Sequence, residues 1–135
     1  MNQVQPRIFQ GNYFDAVNAD LIKGSGITCI LNVAFEANYE TFAKGYEYAR
    51  VPMIDGPGNP LGMMRAAAMT LESLYGHGHS VLVHCMHGRS RSAGVILAWL
   101  MVFRGMNYEE ATALLHEKLP KAVINPAHIT EIQAL

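Results

Sequence analysis

The chain has little cysteine and no long apolar run, and both absences narrow the class of protein to which it can belong. Its 135 residues include only two cysteines, Cys29 and Cys85, too few for a disulfide framework. No apolar run approaches the ~20 residues that cross a bilayer as a helix, and the polar segment 1–6 is unlike a signal peptide. We therefore expect a single domain over residues 1–135, in a reducing compartment such as the cytoplasm or the nucleus.

The sequence also has almost no excess of charge of either sign. Ten lysines and arginines oppose eleven aspartates and glutamates, which gives a formal net charge of −1 at pH 7. Such a chain has no global attraction for nucleic acid or anionic membranes, so we predict no stable partner of either kind, and a monomer. The six histidines show no ligand pattern with carboxylates or a second cysteine, so neither a metal nor a cofactor is predicted.

Strands alternate with helices along the chain, which indicates an α/β fold with a mostly parallel central sheet flanked by helices. Hydrophobic patterning predicts strands at 7–11, 27–34, 46–53 and 80–84. It predicts helices at 14–23, 61–75, 93–104, 108–119 and 125–135. Residues 35–45 are ambiguous between a loop and a helical turn.

The most informative stretch is the loop that follows the apolar strand 80–84. Cys85 ends that strand and a predicted helix follows the loop, so the thiol faces a helix N-terminus, which stabilises anions and binds phosphate. Gly88 allows the loop to curl into a nest of inward N–H groups. Arg91 can hold two phosphate oxygens with its planar guanidinium, and Ser92 is predicted to donate a hydrogen bond to the sulfur.

The order His84-Cys85, five residues, Arg91-Ser92 resembles the signature of the cysteine-dependent protein tyrosine phosphatase superfamily. The resemblance implies the phosphotyrosine protein phosphatase-like fold, with Cys85 as nucleophile and His84 supporting the loop by hydrogen bonding. It also implies a phosphate site formed by Met86, His87, Gly88, Arg89, Ser90 and Arg91.

The length of the chain and two further sequence features resemble those of the dual-specificity branch of that superfamily. Asn32 lies in a buried strand and is taken as a supporting residue, and Asn125-Pro126 precedes the last predicted helix. A small chain has little room for the segment that deepens the pocket of the tyrosine-specific enzymes. The resemblance therefore implies phosphoprotein or phosphopeptide substrates carrying phosphotyrosine, phosphoserine or phosphothreonine.

A leaving oxygen must be protonated, so a general acid is expected on a second loop. The chain has only three aspartates, and of these only Asp55 lies in a loop dense in glycine and proline. Asp55 precedes Cys85 by thirty residues, the spacing at which the family places its acid. The alternatives are that Asp55 merely shapes its own turn with Gly56, or that Glu36, a weaker candidate, is the acid.

The resemblance implies two in-line displacements without a metal. The Cys85 thiolate attacks phosphorus while Asp55 protonates the leaving oxygen, and Asp55 then activates the water that hydrolyses the cysteinyl-phosphate. Arg91 and the loop N–H groups stabilise the charge on the phosphoryl oxygens.

Other interpretations of the same loop stay open from the sequence. Relatives with basic loops act on phosphoinositides, as Arg89 would allow, and relatives with histidine at the position of His87 act on RNA 5′ ends. Arg89 can instead point outward and pair with a surface carboxylate. A phosphate-binding module without turnover is a further alternative, and redox sensing through Cys85 is compatible with catalysis. Cys29 is expected to be an inert core residue.

Overall fold

The computed structural model describes residues 1–37 and 46–135. Its strands are β1 Asn2–Gln5, β2 Ile8–Gly11, β3 Cys29–Ala34, β4 Glu47–Met53 and β5 Val81–His84. They form a mixed sheet in the order β1-β2-β5-β3-β4. The β1–β2 pair is antiparallel and the other three pairs are parallel. The predicted α/β fold with a mostly parallel sheet is confirmed, with one antiparallel strand at its edge.

The edge strand β1 was not predicted, because only a strand at 7–11 was expected in this region. Arg7, with a φ of 66°, forms the turn between β1 and β2, and its guanidinium donates to the carbonyl oxygens of Tyr75 and His79. Within β1 only Val4 is buried. An edge strand that buries one side chain carries almost no hydrophobic pattern, so the sequence gives little sign of it.

The helix predicted at 14–23 is two short helices, α1 Tyr13–Ala16 and α2 Ala19–Gly24. Asn12 caps α1, because its side-chain oxygen accepts from the N–H of Asp15. The Asp15 carboxylate in turn accepts from the Asn12 N–H. Asn18 starts α2 by accepting from the N–H of Leu21. An asparagine side chain that caps a new helix interrupts the preceding one, which is why the continuous helix was wrong.

Four longer helices cover the sheet: α3 Met63–Gly76, α4 Arg91–Arg104, α5 Tyr108–Lys118 and α6 Pro126–Gln133. Every residue of α4 from Arg91 to Leu100 is buried, and α4 contacts α3, α5 and α6. The predicted start at Ala93 was two residues late, so Arg91 and Ser92 lie in the first turn of α4. None of the helices in the described parts of the chain combines the length and the apolar character needed to span a bilayer.

The topology brings three loops to the carboxyl end of the sheet, where parallel α/β sheets bind ligands. The Cys85 loop follows the central strand β5, between β2 and β3. The turn that carries Glu36 follows β3, and the loop that carries Asp55 follows β4. Of the ambiguous segment 35–45, residues 38–45 lie outside the described residues.

Candidate active site

Cys85 lies at the bottom of the loop that joins β5 to α4. Its side chain is only 2% exposed, and its Sγ lies 3.2 Å from Ser92 Oγ. Because α4 begins at Arg91, the loop amides form the N-terminal end of this helix. Gly88 has a φ of +72°, and a Cβ there would lie 3.1 Å from the Gly11 carbonyl group, so both conformation and space favour glycine.

Gln10 orients Ser92, a contact that the sequence did not reveal. Its Nε2 donates to Ser92 Oγ at 2.8 Å and to the Gly88 carbonyl oxygen at 2.6 Å. Since the Gln10 amide occupies an acceptor position of the Ser92 hydroxyl, the hydroxyl proton can be directed to Cys85 Sγ. Gln10 is 3% exposed in β2, and a polar residue in a buried strand was the only available signal.

The guanidinium of Arg91 is held in place from two sides. Its NH1 and NH2 atoms donate to the two carboxylate oxygens of Glu36, and NH1 also donates to the Met53 carbonyl oxygen at 2.9 Å. Its buried Nε has no hydrogen-bond partner among residues 1–37 and 46–135. An unsatisfied buried donor is costly, and a bound phosphate oxygen is a suitable acceptor for it.

Glu36, the weaker acid candidate, is therefore an anchor for Arg91. Partial burial alone would raise the pKa of Glu36, but hydrogen bonds from Arg91 and its positive charge outweigh burial and lower that pKa. A carboxylate that stays ionised in a two-pronged ion pair is poorly suited to donate a proton.

Asn32 acts on the turn that carries Glu36 and not on the Cys85 loop itself. It pairs with His84 in the register of β3 and β5. Its fully buried side chain accepts from the N–H of Ala34 at 2.9 Å and donates to the Ala37 carbonyl oxygen at 3.5 Å. These contacts lie on both sides of Glu36, and the supporting role of Asn32 stays a prediction.

Asp55 contacts the Cys85 loop through Ser90 and lines the same pocket as Cys85. Its Oδ1 accepts from Ser90 Oγ at 2.7 Å and lies 3.3 Å from Nε2 of His128. Its side chain is 39% exposed. The turn of its own loop is closed by Asn59, which exchanges two 2.8 Å hydrogen bonds with the backbone of Ile54. Asn59, and not Asp55, shapes this turn.

One pocket of about 420 Å³ contains most of the predicted site residues. Its lining residues are Asp55, Cys85, His87, Arg89, Ser90, Arg91 and Val123. The side chains of His87 and Arg89 are exposed at its mouth, and Arg89 forms no ion pair with a carboxylate in the described parts of the chain. Met86 is half-buried, and its carbonyl oxygen accepts from the N–H of Tyr13.

His84 is completely buried beneath the loop, and its Nδ1 lies 3.2 Å from the Cys85 carbonyl oxygen. Burial disfavours the charged imidazolium and lowers the pKa of His84 from 6.5 to about 4. His84 is therefore neutral at physiological pH, and a neutral imidazole with one N–H can support the loop backbone without adding charge under the thiol.

We expect the free energy of unfolding to fall as the pH decreases from the unfolded-state pKa of 6.5 towards about 4. In this window the unfolded chain binds a proton at His84 and the folded chain does not, a linkage on the order of 3 kcal/mol. Guanidinium denaturation of the wild type and of His84→Asn between pH ~7.5 and ~4.5 measures it. The variant should lose this part of the pH dependence, and exposed His116→Asn should keep it. Equal pH dependence in His84→Asn and the wild type would contradict the assignment.

The comparisons with known proteins agree with this geometry. Residues 8–135 match the family model described as "Dual specificity phosphatase, catalytic domain". Mouse dual specificity phosphatase 28 is 33% identical over 132 residues, 97% of this chain and 80% of that protein. Human dual specificity protein phosphatase 14 is 34% identical over 125 residues, 92% of this chain and 62% of that protein. The crystal structure of human DUSP28 has a TM-score of 0.87 at 29% identity and covers 99% of this chain and 94% of that one.

These matches favour one of the interpretations that the sequence left open, a protein phosphatase. The family model covers nearly the whole chain and describes a catalytic domain, which favours an enzyme over a phosphate-binding module without turnover. The relatives named above are dual specificity phosphatases by name, and none of these matches favours a lipid or an RNA substrate. The chain therefore belongs to the dual specificity phosphatase family, the cysteine-dependent phosphatases of protein tyrosine, serine and threonine.

Proposed function

We propose that this enzyme hydrolyses protein phosphomonoesters through a cysteinyl-phosphate intermediate, with Cys85 as nucleophile, Arg91 as phosphate clamp and Asp55 as general acid and base. The observation that carries the proposal is that these three side chains line one pocket although they come from different parts of the chain. A nucleophile, an anion clamp and a proton donor in one cleft are the parts that phosphoryl transfer to cysteine requires.

In the first step the Cys85 thiolate forms a bond to phosphorus as the bond from phosphorus to the substrate oxygen breaks. Asp55 gives its proton to that leaving oxygen, so the alcohol or phenol departs neutral. The loop amides at the start of α4 and the guanidinium of Arg91 bind the phosphoryl oxygens. Glu36 and the Met53 carbonyl oxygen fix the plane of the Arg91 guanidinium before substrate arrives.

In the second step water attacks phosphorus and the bond between phosphorus and sulfur breaks. Asp55, now ionised, takes the proton from the attacking water. The sulfur leaves as a thiolate, and the Ser92 hydroxyl, 3.2 Å from Sγ, can donate a hydrogen bond to it. The Gln10 amide supports this direction of the hydroxyl because it donates to the same Ser92 oxygen.

The proposed mechanism is compatible with a monomer and with a reducing compartment. Every residue that the proposed mechanism uses comes from a single chain, so a monomer is sufficient for it. A thiolate nucleophile is preserved best where disulfides are rare, which favours the cytoplasm or the nucleus as the site of action.

Asp55→Asn tests the mechanism through its dependence on the leaving group. We expect kcat/KM, which reports the step that releases the leaving group, to fall by about 10²-fold or more for phenyl phosphate, a typical effect of a general acid. The loss should be much smaller for p-nitrophenyl phosphate, because p-nitrophenolate leaves without a proton. Both rates are measured in EDTA with reductant, and Asp20→Asn, an exposed aspartate on α2, should behave as the wild type. Equal losses for the two substrates would remove Asp55 from the acid role.

A further inference from the structure

A buried histidine contacts the proposed general acid and has no part in the mechanism described above. His128, the third residue of α6, is 1% exposed, and its Nε2 lies 3.3 Å from Asp55 Oδ1. While Asp55 is ionised, its carboxylate oxygens only accept hydrogen bonds, so Nε2 is then the donor in this contact. Because a buried imidazole needs partners for its polar atoms, this contact is a specific feature of the site.

Two donors meet on the same oxygen of Asp55. Ser90 Oγ donates to Oδ1 at 2.7 Å, and His128 Nε2 approaches that same atom. With Oδ1 occupied by two donors, the acidic proton of Asp55 belongs on Oδ2. The carboxyl group is thereby oriented, with one oxygen held by the protein and the other available to the leaving group.

Hydrogen bonds join the start of α6 to the Cys85 loop and thereby fix the position of His128. The N–H of Asn125 donates to Ser90 Oγ at 2.9 Å, and the N–H of Val123 donates to the Arg89 carbonyl oxygen at 3.0 Å. The N–H of His128 in turn donates to the Asn125 carbonyl oxygen at 2.9 Å. Any change in the loop that moves Ser90 is thus transmitted to His128 through a short, hydrogen-bonded segment.

We propose that His128 is a positioning residue for the general acid: with Ser90, it holds Oδ1 of Asp55 so that Oδ2 delivers the proton to the leaving oxygen. His128 keeps its own Nε2 proton throughout and contacts neither the phosphate nor the leaving group. The inference rests on the proposed role of Asp55, which has its own test above. It predicts that the effect of His128 on the rate passes through Asp55 alone.

The experiment compares His128→Leu, which removes the donor, with His128→Gln, whose side-chain amide can still donate to Asp55. We expect His128→Leu to lower kcat/KM about tenfold for phenyl phosphate and less than about threefold for p-nitrophenyl phosphate, since misplacing an acid affects the step that needs its proton. His128→Gln should recover most of the loss. Thermal unfolding verifies that the leucine variant is folded, and His128→Met, with a more adaptable side chain, replaces it if it is not.

The decisive measurement places His128→Leu in the Asp55→Asn background. If His128 acts through Asp55, this second substitution should change kcat/KM for phenyl phosphate by less than about twofold. An undiminished loss in that background, or equal losses for the two substrates in the single variant, would overturn the inference and leave the role of Asp55 intact. If Asp55→Asn alone shows no dependence on the leaving group, the acid assignment itself fails, which is a different pattern of rates.

Discussion

Replacement of Cys85 by serine should abolish turnover, with kcat lower by at least about 10⁴-fold. A serine hydroxyl is a weak nucleophile unless a general base takes its proton. Within residues 1–37 and 46–135, no base contacts this sulfur: Sγ contacts the Ser92 hydroxyl, and Nδ1 of His84 faces the Cys85 carbonyl oxygen instead. The phosphate cradle is unchanged, so the variant should still bind a phosphopeptide. Hydrolysis of p-nitrophenyl phosphate and calorimetric titration with the peptide measure the two properties.

Cys29→Ala is the matched control for this variant, because Cys29 is the other cysteine of the chain. It is completely buried in β3, and burial, with a smaller contribution from Glu47, raises the pKa of its thiol to about 11. Almost no thiolate exists there at neutral pH, so kcat should stay within about twofold of the wild type. Appreciable residual turnover in Cys85→Ser, or a comparable loss in Cys29→Ala, would sink the assignment of Cys85 as nucleophile.

The parts of the site that lie close together in sequence could be predicted from it. Cys85, Gly88, Arg91 and Ser92 belong to one strand–loop–helix unit, so their spacing alone determines that they meet. Asp55 could be predicted as the acid because aspartates are few and its loop is dense in glycine and proline. The sheet and its main helices followed from the same kind of local periodicity.

The contacts that the sequence did not reveal are long-range. Gln10 reaches Ser92 across the pairing of β2 with β5, and His128 reaches Asp55 from the far end of the chain. Glu36 was only an alternative candidate for the acid, and nothing in the sequence indicated that its carboxylate faces Arg91. Such contacts depend on the tertiary packing of separate elements, on which local patterns carry no information.

Arg91→Lys should reduce kcat/KM for p-nitrophenyl phosphate by about 10³-fold, although the positive charge is retained. Arg91 has two tasks that a single ammonium cannot share. Its NH1 and NH2 atoms bind the two oxygens of Glu36 and the Met53 carbonyl oxygen, while its buried Nε is unpartnered among the described residues. A lysine that pairs with Glu36 has no second, rigidly oriented donor edge for the phosphoryl oxygens, so binding and transition-state stabilisation should both weaken.

Arg89→Lys separates this geometric role from charge alone. Arg89 lies in the same loop, but its side chain is exposed at the mouth of the pocket, and it forms no ion pair within the described parts of the chain. A lysine there should change kcat/KM by less than about fivefold, because an exposed charge at the mouth contributes through a screened field. Inhibition by inorganic phosphate should weaken in Arg91→Lys and stay nearly constant in Arg89→Lys. If the two variants lose activity equally, the charge of the loop and not the shape of the Arg91 guanidinium determines activity, and the role of Arg91 as phosphate clamp is wrong.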